Sequence, residues 1–395
     1  MADSAAQTLR DANRAFSLGL VRFGAKPVSS GWLDCSGYPV GGPICPDGTG
    51  WVGRVSYESG RLIEPRVAVN QRPDERVNER FWPVATWGKL RPMPASIENS
   101  RQTFELGNFS SNLGKAKYCG AVARAIEYIR AGDIYQVNLA HRLSASFRGS
   151  ARELAAQLFE VTDPKFGSYL EFDDASGMQR AIISLSPELF FKVDRGTGEI
   201  TTSPMKGTRA IEHAHELEGS RKDQAELAMI VDLMRNDLGR VCELGSVHVE
   251  QEREIELHGT RGDGVAQTTA TIRGKLRAKV GVPEILKQLM PGGSITGTPK
   301  IRAMQIIEEL EPSLRGPYCG TIGMIDTQGN AVFSIGIRTL CITGRGPAPG
   351  VFESAVVDYS AGAGIVADSV PEQEWRETLD KAWMLRKVSI IQDEL

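Results

Sequence analysis

The sequence predicts an α+β protein, and two observations carry that reading. Short runs of alternating apolar and polar residues bounded by turn residues recur in groups, as in GSYLEFD, RAIISLSPELFFKVD and EITTSPM, the pattern of antiparallel strands. Between such groups lie segments of helical period. In GSRKDQAELAMIVDLMRNDLGR, Leu227, Ile230, Val231, Met234 and Leu238 fall on one face, which predicts a long helix with a single buried stripe.

The 395 residues suffice for two or three domains or for one large layered unit. The expected division is a β-rich lobe over 1–100 and a main domain over 101–395. The first part is rich in Gly and Pro, with strand-like GWVGRVSYESG and a proline-broken FWPVATWGKLRPMP. From Lys115 the period becomes helical until Gly132, then DIYQVNLAHRLSASF reads as a strand and ARELAAQLFEVT as a helix. After the long helix come a helix over Pro283–Met290, a glycine turn, a helix over Pro299–Leu310, further strands, and a last helix from Pro371 to about Lys387.

A net charge of −3 and the lack of any long basic run argue against nucleic acid or an anionic membrane as partner. No stretch approaches the ~20 apolar residues of a membrane span, and MADSAAQTLRDANRAF lacks the pattern of a secretory leader, so a cytoplasmic protein acting on small molecules is expected. The six cysteines form no CxxC and are expected to be reduced and buried; the five histidines form no HExxH, which argues against zinc.

Three stretches hold chemistry. PGGSITGTPKIRAM has Gly292 and Gly297 at phosphate-loop spacing, but Thr298 and Pro299 stand before Lys300, so it fails the nucleotide pattern. It reads as a helix start with Thr298 as N-cap and Pro299 at the first position, either simply capped or turning its N–H groups to an anion. In the last helix Glu374, Glu377 and Lys381 share a face, and Asp223 and Glu226 repeat the i, i+3 spacing on the long helix. Such carboxylates form either a solvated salt-bridged surface or, from two helices together, a site for Mg²⁺, which prefers oxygen ligands. SAGAGIVAD adds Gly362 and Gly364, where a ligand can approach bare backbone. TTSPMKGTRA sets Lys206 directly before Gly207 and Thr208.

SPELF, PMKGTRA, IVDLMRNDLGRV, GGSITGTPKIRAMQIIEELEP, FSIGIRTL and AGAGIVADSVPEQEWRETLDKA, in that order, resemble the chorismate-utilising enzymes, and within them the aminodeoxychorismate synthase branch. The resemblance covers about Lys115 to the C-terminus. It implies antiparallel sheets packed face to face with helices outside, and a cleft for chorismate and Mg²⁺. It implies Glu226 and Glu377 as metal ligands with Asp223 and Glu374 supporting them. Tyr318, Arg338, Lys381 and the backbone of Gly362, Ala363 and Gly364 would hold substrate carboxylates, with Gly207 and Thr208 lining the ring. Glu188 would be the general acid that protonates the departing C4 hydroxyl.

The same resemblance gives Lys206 a role. Anthranilate synthases carry alanine there, whereas the branch that aminates at C4 carries a lysine implied to add covalently at C2. Gln136 stands where water-using relatives place a lysine base, and an amide suits ammonia as nucleophile. Ala266 and Gln267 replace a histidine that anthranilate synthases associate with loss of pyruvate. No tryptophan-binding signature is evident, so feedback by tryptophan is not expected. No cysteine stands in a GxCxG setting, which implies ammonia from a separate glutamine amidotransferase partner. The implied activity is Mg²⁺-dependent amination of chorismate to 4-amino-4-deoxychorismate, for 4-aminobenzoate and folate. The alternative is an anthranilate or 2-amino-2-deoxyisochorismate synthase in which Lys206 is incidental.

Overall fold

A computed structural model describes residues 20–22, 51–59, 85–89, 103–173, 177–258 and 265–388. Cys35, Cys45 and most of the expected 1–100 lobe lie outside them. In chain order the described strands are β1 (Leu20–Arg22), β2 (Trp51–Val55), β3 (Ala85–Lys89), β4 (Phe104–Leu106), β5 (Ser110–Ser111), β6 (Gln136–Ser150), β7 (Phe166–Asp173), β8 (Gln179–Ser186), β9 (Leu189–Asp194), β10 (Glu199–Ser203), β11 (Met205–Ala210), β12 (His248–His258), β13 (Val265–Lys275), β14 (Gly297–Thr298), β15 (Thr321–Ile325), β16 (Ala331–Ile335), β17 (Thr339–Arg345) and β18 (Val351–Ile365). The helices are α1 (Gly114–Arg130), α2 (Ala151–Thr162), α3 (Ala214–Gly219), α4 (Arg221–Gly239), α5 (Val282–Leu289), α6 (Lys300–Leu310), α7 (Pro371–Asp380) and α8 (Leu385–Val388).

The strands form two sheets. The first runs β1-β7-β8-β17-β18-β6-β14, with β4 and β5 also on β6; the second runs β11-β13-β10-β9-β16-β15-β2-β3, with β12 on β13. The ladders that frame the site, β6/β18, β17/β18 and β11/β13, are antiparallel, while the edge strand β1 joins β7 in parallel. Apolar side chains meet across the sheets: Leu170, Phe172 and Ile182 of the first pack with Ile322 of the second, and Leu139 and Ala363 cluster with Phe191 and Phe333. The outer face of the first sheet is covered by α2 and the α8 region through Leu154, Leu158, Met384 and Leu385. This is the α+β class that the residue pattern predicts and the sandwich with outer helices that the resemblance implies.

The long helix follows its pattern. Ser220 caps α4 by accepting from the Asp223 amide, and Leu227, Ile230, Met234 and Leu238 are buried, with Val231 partly so. Two expected boundaries move. Thr298 is not an N-cap: it pairs with Gln136 in β14, and Pro299 precedes the helix as its cap residue. The ladder to β6 holds Thr298 extended, so its hydroxyl is not turned toward the amides of α6. The last helix ends at Asp380, because Tyr359 donates its hydroxyl to the Lys381 carbonyl and the next turns tighten to i, i+3 bonds. Lys300 donates to Asp237 at 2.5 Å, a buried tie between α6 and α4. Cys242, Cys319 and Cys341 are free and buried as expected; Cys119 is free but half-buried. No described helix is long and apolar enough to cross a membrane.

Candidate active site

A cavity of about 660 Å³ opens where β11, the end of β18, α4 and α7 converge. Its floor is made by an irregular ladder. Lys206 pairs with Thr268 and Thr208 with Gln267, which leaves Gly207 unpaired as a bulge. The bulge re-aims the strand, so that Lys206, Gly207 and Thr208 all line the cavity. Gly207 has φ +67°, and a Cβ there would sit 2.9 Å from Leu217 Cδ2 and 3.0 Å from Asp223 Cγ, so only glycine fits without strain. Thr268 Oγ1 donates to the Lys206 carbonyl and locks the backbone beneath the amine.

Lys206 is half-buried, and its amine makes no hydrogen bond or ion pair with any described residue. Burial lowers its pKa; the Glu226 carboxylate pulls it up, Lys381 pushes it down, and Glu188 and Glu377 pull it up. Glu188 also lines the cavity. It stands just before β9, with its amide on Ser186 Oγ and its carbonyl accepting from the Ile335 amide. Burial raises its pKa to about 7, against the Ser294 hydroxyl, which donates to Oε1 at 2.6 Å, and the charges of Lys206 and Lys381.

Ser294 was not singled out from the sequence. The signal lay in the glycine loop: a Cβ on Gly293 would meet Leu233 Cδ2 at 2.6 Å and one on Gly292 would meet Ile335 Cδ1 at 3.0 Å. Those glycines let the loop pass close to α4 and β16 and bring Ser294 to Glu188.

The opposite wall is cationic and rich in amides. β17 pairs with β18 only as far as Tyr359, so one edge of β18 is open beyond that point. The amides of Ala140 and Asn138, which face Gly362 and Gly364 in register, bond instead to Glu311 and Thr296. The polar backbone of Gly362 and Gly364 therefore turns to the open edge. There the Gly362 carbonyl accepts from Lys381 Nζ at 2.7 Å. Ala363, expected beside the substrate, alternates away, with its side chain fully buried in the core and its backbone toward Leu139. A Cβ on Gly364 would lie 2.7 Å from Gln136 Nε2 and 3.4 Å from Lys206 Nζ.

Arg338 lines the cavity from a left-handed backbone at φ +49°, with burial lowering its pKa and Tyr359 opposing that. It has no ion-pair partner among the described residues, which leaves it available for an anion. Tyr318 is buried and its hydroxyl approaches Gly362, within 2.9 Å of where a Cβ would stand.

The acids divide. Asp223, Glu226 and Glu377 line the cavity; Asp223 accepts from Arg209 at 3.2 Å and Glu377 from Lys381 at 2.7 Å. Glu374 does not line it. It lies one turn earlier on α7, in the interior near Tyr118, whose pKa is raised by burial and then by Glu374 and Glu377. Among the described residues no group of three or more His, Cys, Asp or Glu converges on one point. Two carboxylates from separate helices lining one cavity, with further positions left to water and a ligand's oxygens, suit a hard ion such as Mg²⁺.

The residues 41–387 match the family of chorismate binding enzymes, and the chain belongs to that family. It is 39% identical to anthranilate synthase component 1 of Aquifex aeolicus over 73% of its length and 56% of the relative's. It is 40% identical to aminodeoxychorismate synthase component 1 of Escherichia coli over 69% of its length and 58% of the relative's. The matched part thus spans somewhat more than half of either relative. Anthranilate synthase component I from Streptococcus pneumoniae superimposes with a TM-score of 0.70 at 28% identity, covering 89% of this chain and 84% of that one.

Proposed function

We propose that this protein aminates chorismate at C4 to give 4-amino-4-deoxychorismate, with Lys206 as a transient nucleophile. The observation that supports this most directly is an amine without a partner among the described residues, held toward neutrality by burial, in a cavity also lined by a carboxyl raised to about 7. That is the pairing of protonation states a nucleophile and a general acid need.

Neutral Lys206 Nζ forms a bond to C2, the two ring double bonds shift to C1=C6 and C4=C5, and the C4–O bond breaks. Glu188 gives its proton to the departing hydroxyl, which leaves as water, and takes one back from the new secondary ammonium. Ammonia then bonds to C4, the double bonds return, and the C2–N bond breaks with Lys206 reprotonated by Glu188. Glu188 recovers its proton from the new C4 ammonium. Ammonia enters, water leaves, and no redox change occurs. Arg338, Lys381 and the amides of Gly362 and Gly364 bind the substrate's carboxylates, replacing lost water with fixed donors. Tyr318, Gly207 and Thr208 shape the ring's bed.

Glu226 and Glu377 would hold Mg²⁺ with Asp223 beside them; when bound, it supplies a fixed positive charge for the ring carboxylate. Glu374, set behind the wall, would act only through the field it adds. The ammonia is proposed to come from an amidotransferase partner. Burial raises the thiols of Cys242, Cys319 and Cys341 to about 11, 12 and 12, which suits none of them to act as a nucleophile.

Purified protein with chorismate, Mg²⁺ and ammonium should yield 4-amino-4-deoxychorismate, and Lys206→Ala should abolish it. Chorismate without ammonia should leave an adduct on the peptide holding Lys206, read by intact mass. The anthranilate-type reading, favoured by the Aquifex relative at a similar identity, predicts anthranilate as product and an active Lys206→Ala variant.

A further inference from the structure

Behind the acidic wall, His141 joins three elements. The residue is 2% exposed, Nδ1 lies 2.9 Å from Ser111 Oγ, and Nε2 lies 2.8 Å from Thr378 Oγ1. The neighbours fix the direction of every proton. Thr378 donates its hydroxyl to the Trp375 carbonyl at 2.7 Å, so toward His141 its oxygen can only accept, and Nε2 carries the hydrogen. Ser111 Oγ accepts from the amides of Gly114 at 3.0 Å and Leu113 at 3.3 Å, at the start of α1, which leaves its own proton for Nδ1. One neutral tautomer satisfies the whole chain, in keeping with a pKa that burial lowers to about 4.

The ring also packs on Trp375 with centroids 4.6 Å apart and meets Tyr118 at 5.2 Å. Trp375 and Thr378 form, with Glu374, the buried face of α7, the helix that also carries Glu377 to the cavity. His141 itself sits on β6, in register with Ala361 of the strand whose next residues line that cavity. The hydrogen bond and the tilted ring contact from His141, together with the ties of Lys381 to Tyr359 and Gly362 of β18, oppose rotation of the helix about its own axis. Rotation is what decides where a carboxylate on the far face points.

We propose that His141 is a positioning residue that sets the orientation of α7, and thereby the affinity of Glu226 and Glu377 for a divalent cation. The inference rests on the reading of those two acids as the cation's ligands. Partners bonded directly to a metal's ligands typically change its affinity by ~10–100-fold, and His141, which acts one step further out through α7, is expected at the low end of that range.

The test compares wild type with His141→Leu and His141→Gln by calorimetric titration of Mg²⁺ and by hydrogen–deuterium exchange of the peptide spanning Pro371–Asp380. His141→Leu should weaken Mg²⁺ binding about tenfold and raise exchange in that peptide, while His141→Gln, which keeps an N–H for Thr378, should recover most of both. If His141→Leu does not fold, Thr378→Val, which removes the acceptor and leaves the imidazole, should show the same two changes. Exchange that rises while Mg²⁺ affinity stays unchanged would reduce His141 to a packing role and overturn the proposal, as would exchange that does not rise. Wild type that takes up no Mg²⁺ overturns the metal reading itself and the cation part of the inference with it. The exchange data still report separately whether His141 holds α7.

Discussion

Removing the hydroxyl of Ser294 should move the alkaline limb of the pH–rate profile upward. In the native site Ser294 donates to Glu188 Oε1 at 2.6 Å, a bond that favours the ionised carboxylate and holds back the rise that burial imposes. A hydrogen bond to a charged group is worth about 1.5–3 kcal/mol, and one pKa unit corresponds to 1.36 kcal/mol, so Ser294→Ala should raise the Glu188 pKa by roughly one to two units. The general acid must be protonated, so the alkaline limb of kcat/KM should shift from near pH 7 to about 8 or above. The same change should lower the Lys206 pKa a little further, because a Glu188 that is neutral over a wider range pulls the lysine up less. The assay is initial-rate measurement of chorismate amination by ammonia across pH, with Glu188→Gln as the control that removes the acid. An alkaline limb that stays in place or moves down would show that Glu188 is not the group titrating there.

Glu188 should also cost stability. Its pKa rises from 4.5 when unfolded to about 7 when folded, so between these values the native state holds a proton that the unfolded chain releases, and stability falls as pH rises through that window. Glu188→Gln should therefore melt higher than wild type at pH 8 and show no such gain at pH 4, as read by calorimetry. Gly207→Ala should cost about 1–2 kcal/mol in urea unfolding, from its left-handed φ, and lower kcat/KM as the bulge shifts Lys206. Lys300→Met, which strands Asp237 in the interior, should cost about 3–5 kcal/mol in the same assay with KM for chorismate unchanged; a raised KM with normal stability would instead make Lys300 a ligand residue.

What was legible in the sequence is what depends on local period. The stripe of α4 follows from residues spaced by single turns, and the placement of one carboxylate pair on α4 and another on α7 follows from the same spacing. Face assignment was harder. Ala363 lies between two glycines that do meet the cavity, yet strand alternation sends it into the core. Glu374 shares a helical stripe with Glu377, but the cavity wall ends within one turn, about 5 Å along the axis, so the earlier acid is enclosed by protein. Lys381 still lines the cavity although it lies past the last helical residue, because the Tyr359 hydroxyl and the Gly362 carbonyl, both on β18, hold its two ends.

The features that set protonation were not legible, for a physical reason. The bulge at Gly207 exists only once β11 is paired with β13, since nothing in MKGTRA alone distinguishes an unpaired glycine from a paired one. Ser294 and Glu188 are 106 residues apart and meet only through the sandwich. Desolvation is likewise a property of the assembled walls: the same burial drives Lys206 toward the neutral amine and Glu188 toward the neutral acid, because each is disfavoured in its charged form. The proposed nucleophile and the proposed acid are therefore prepared by one cause. A variant that admits water to the cavity should undo both together, lowering the Glu188 pKa while raising that of Lys206, and so move the two limbs of the pH profile in opposite directions.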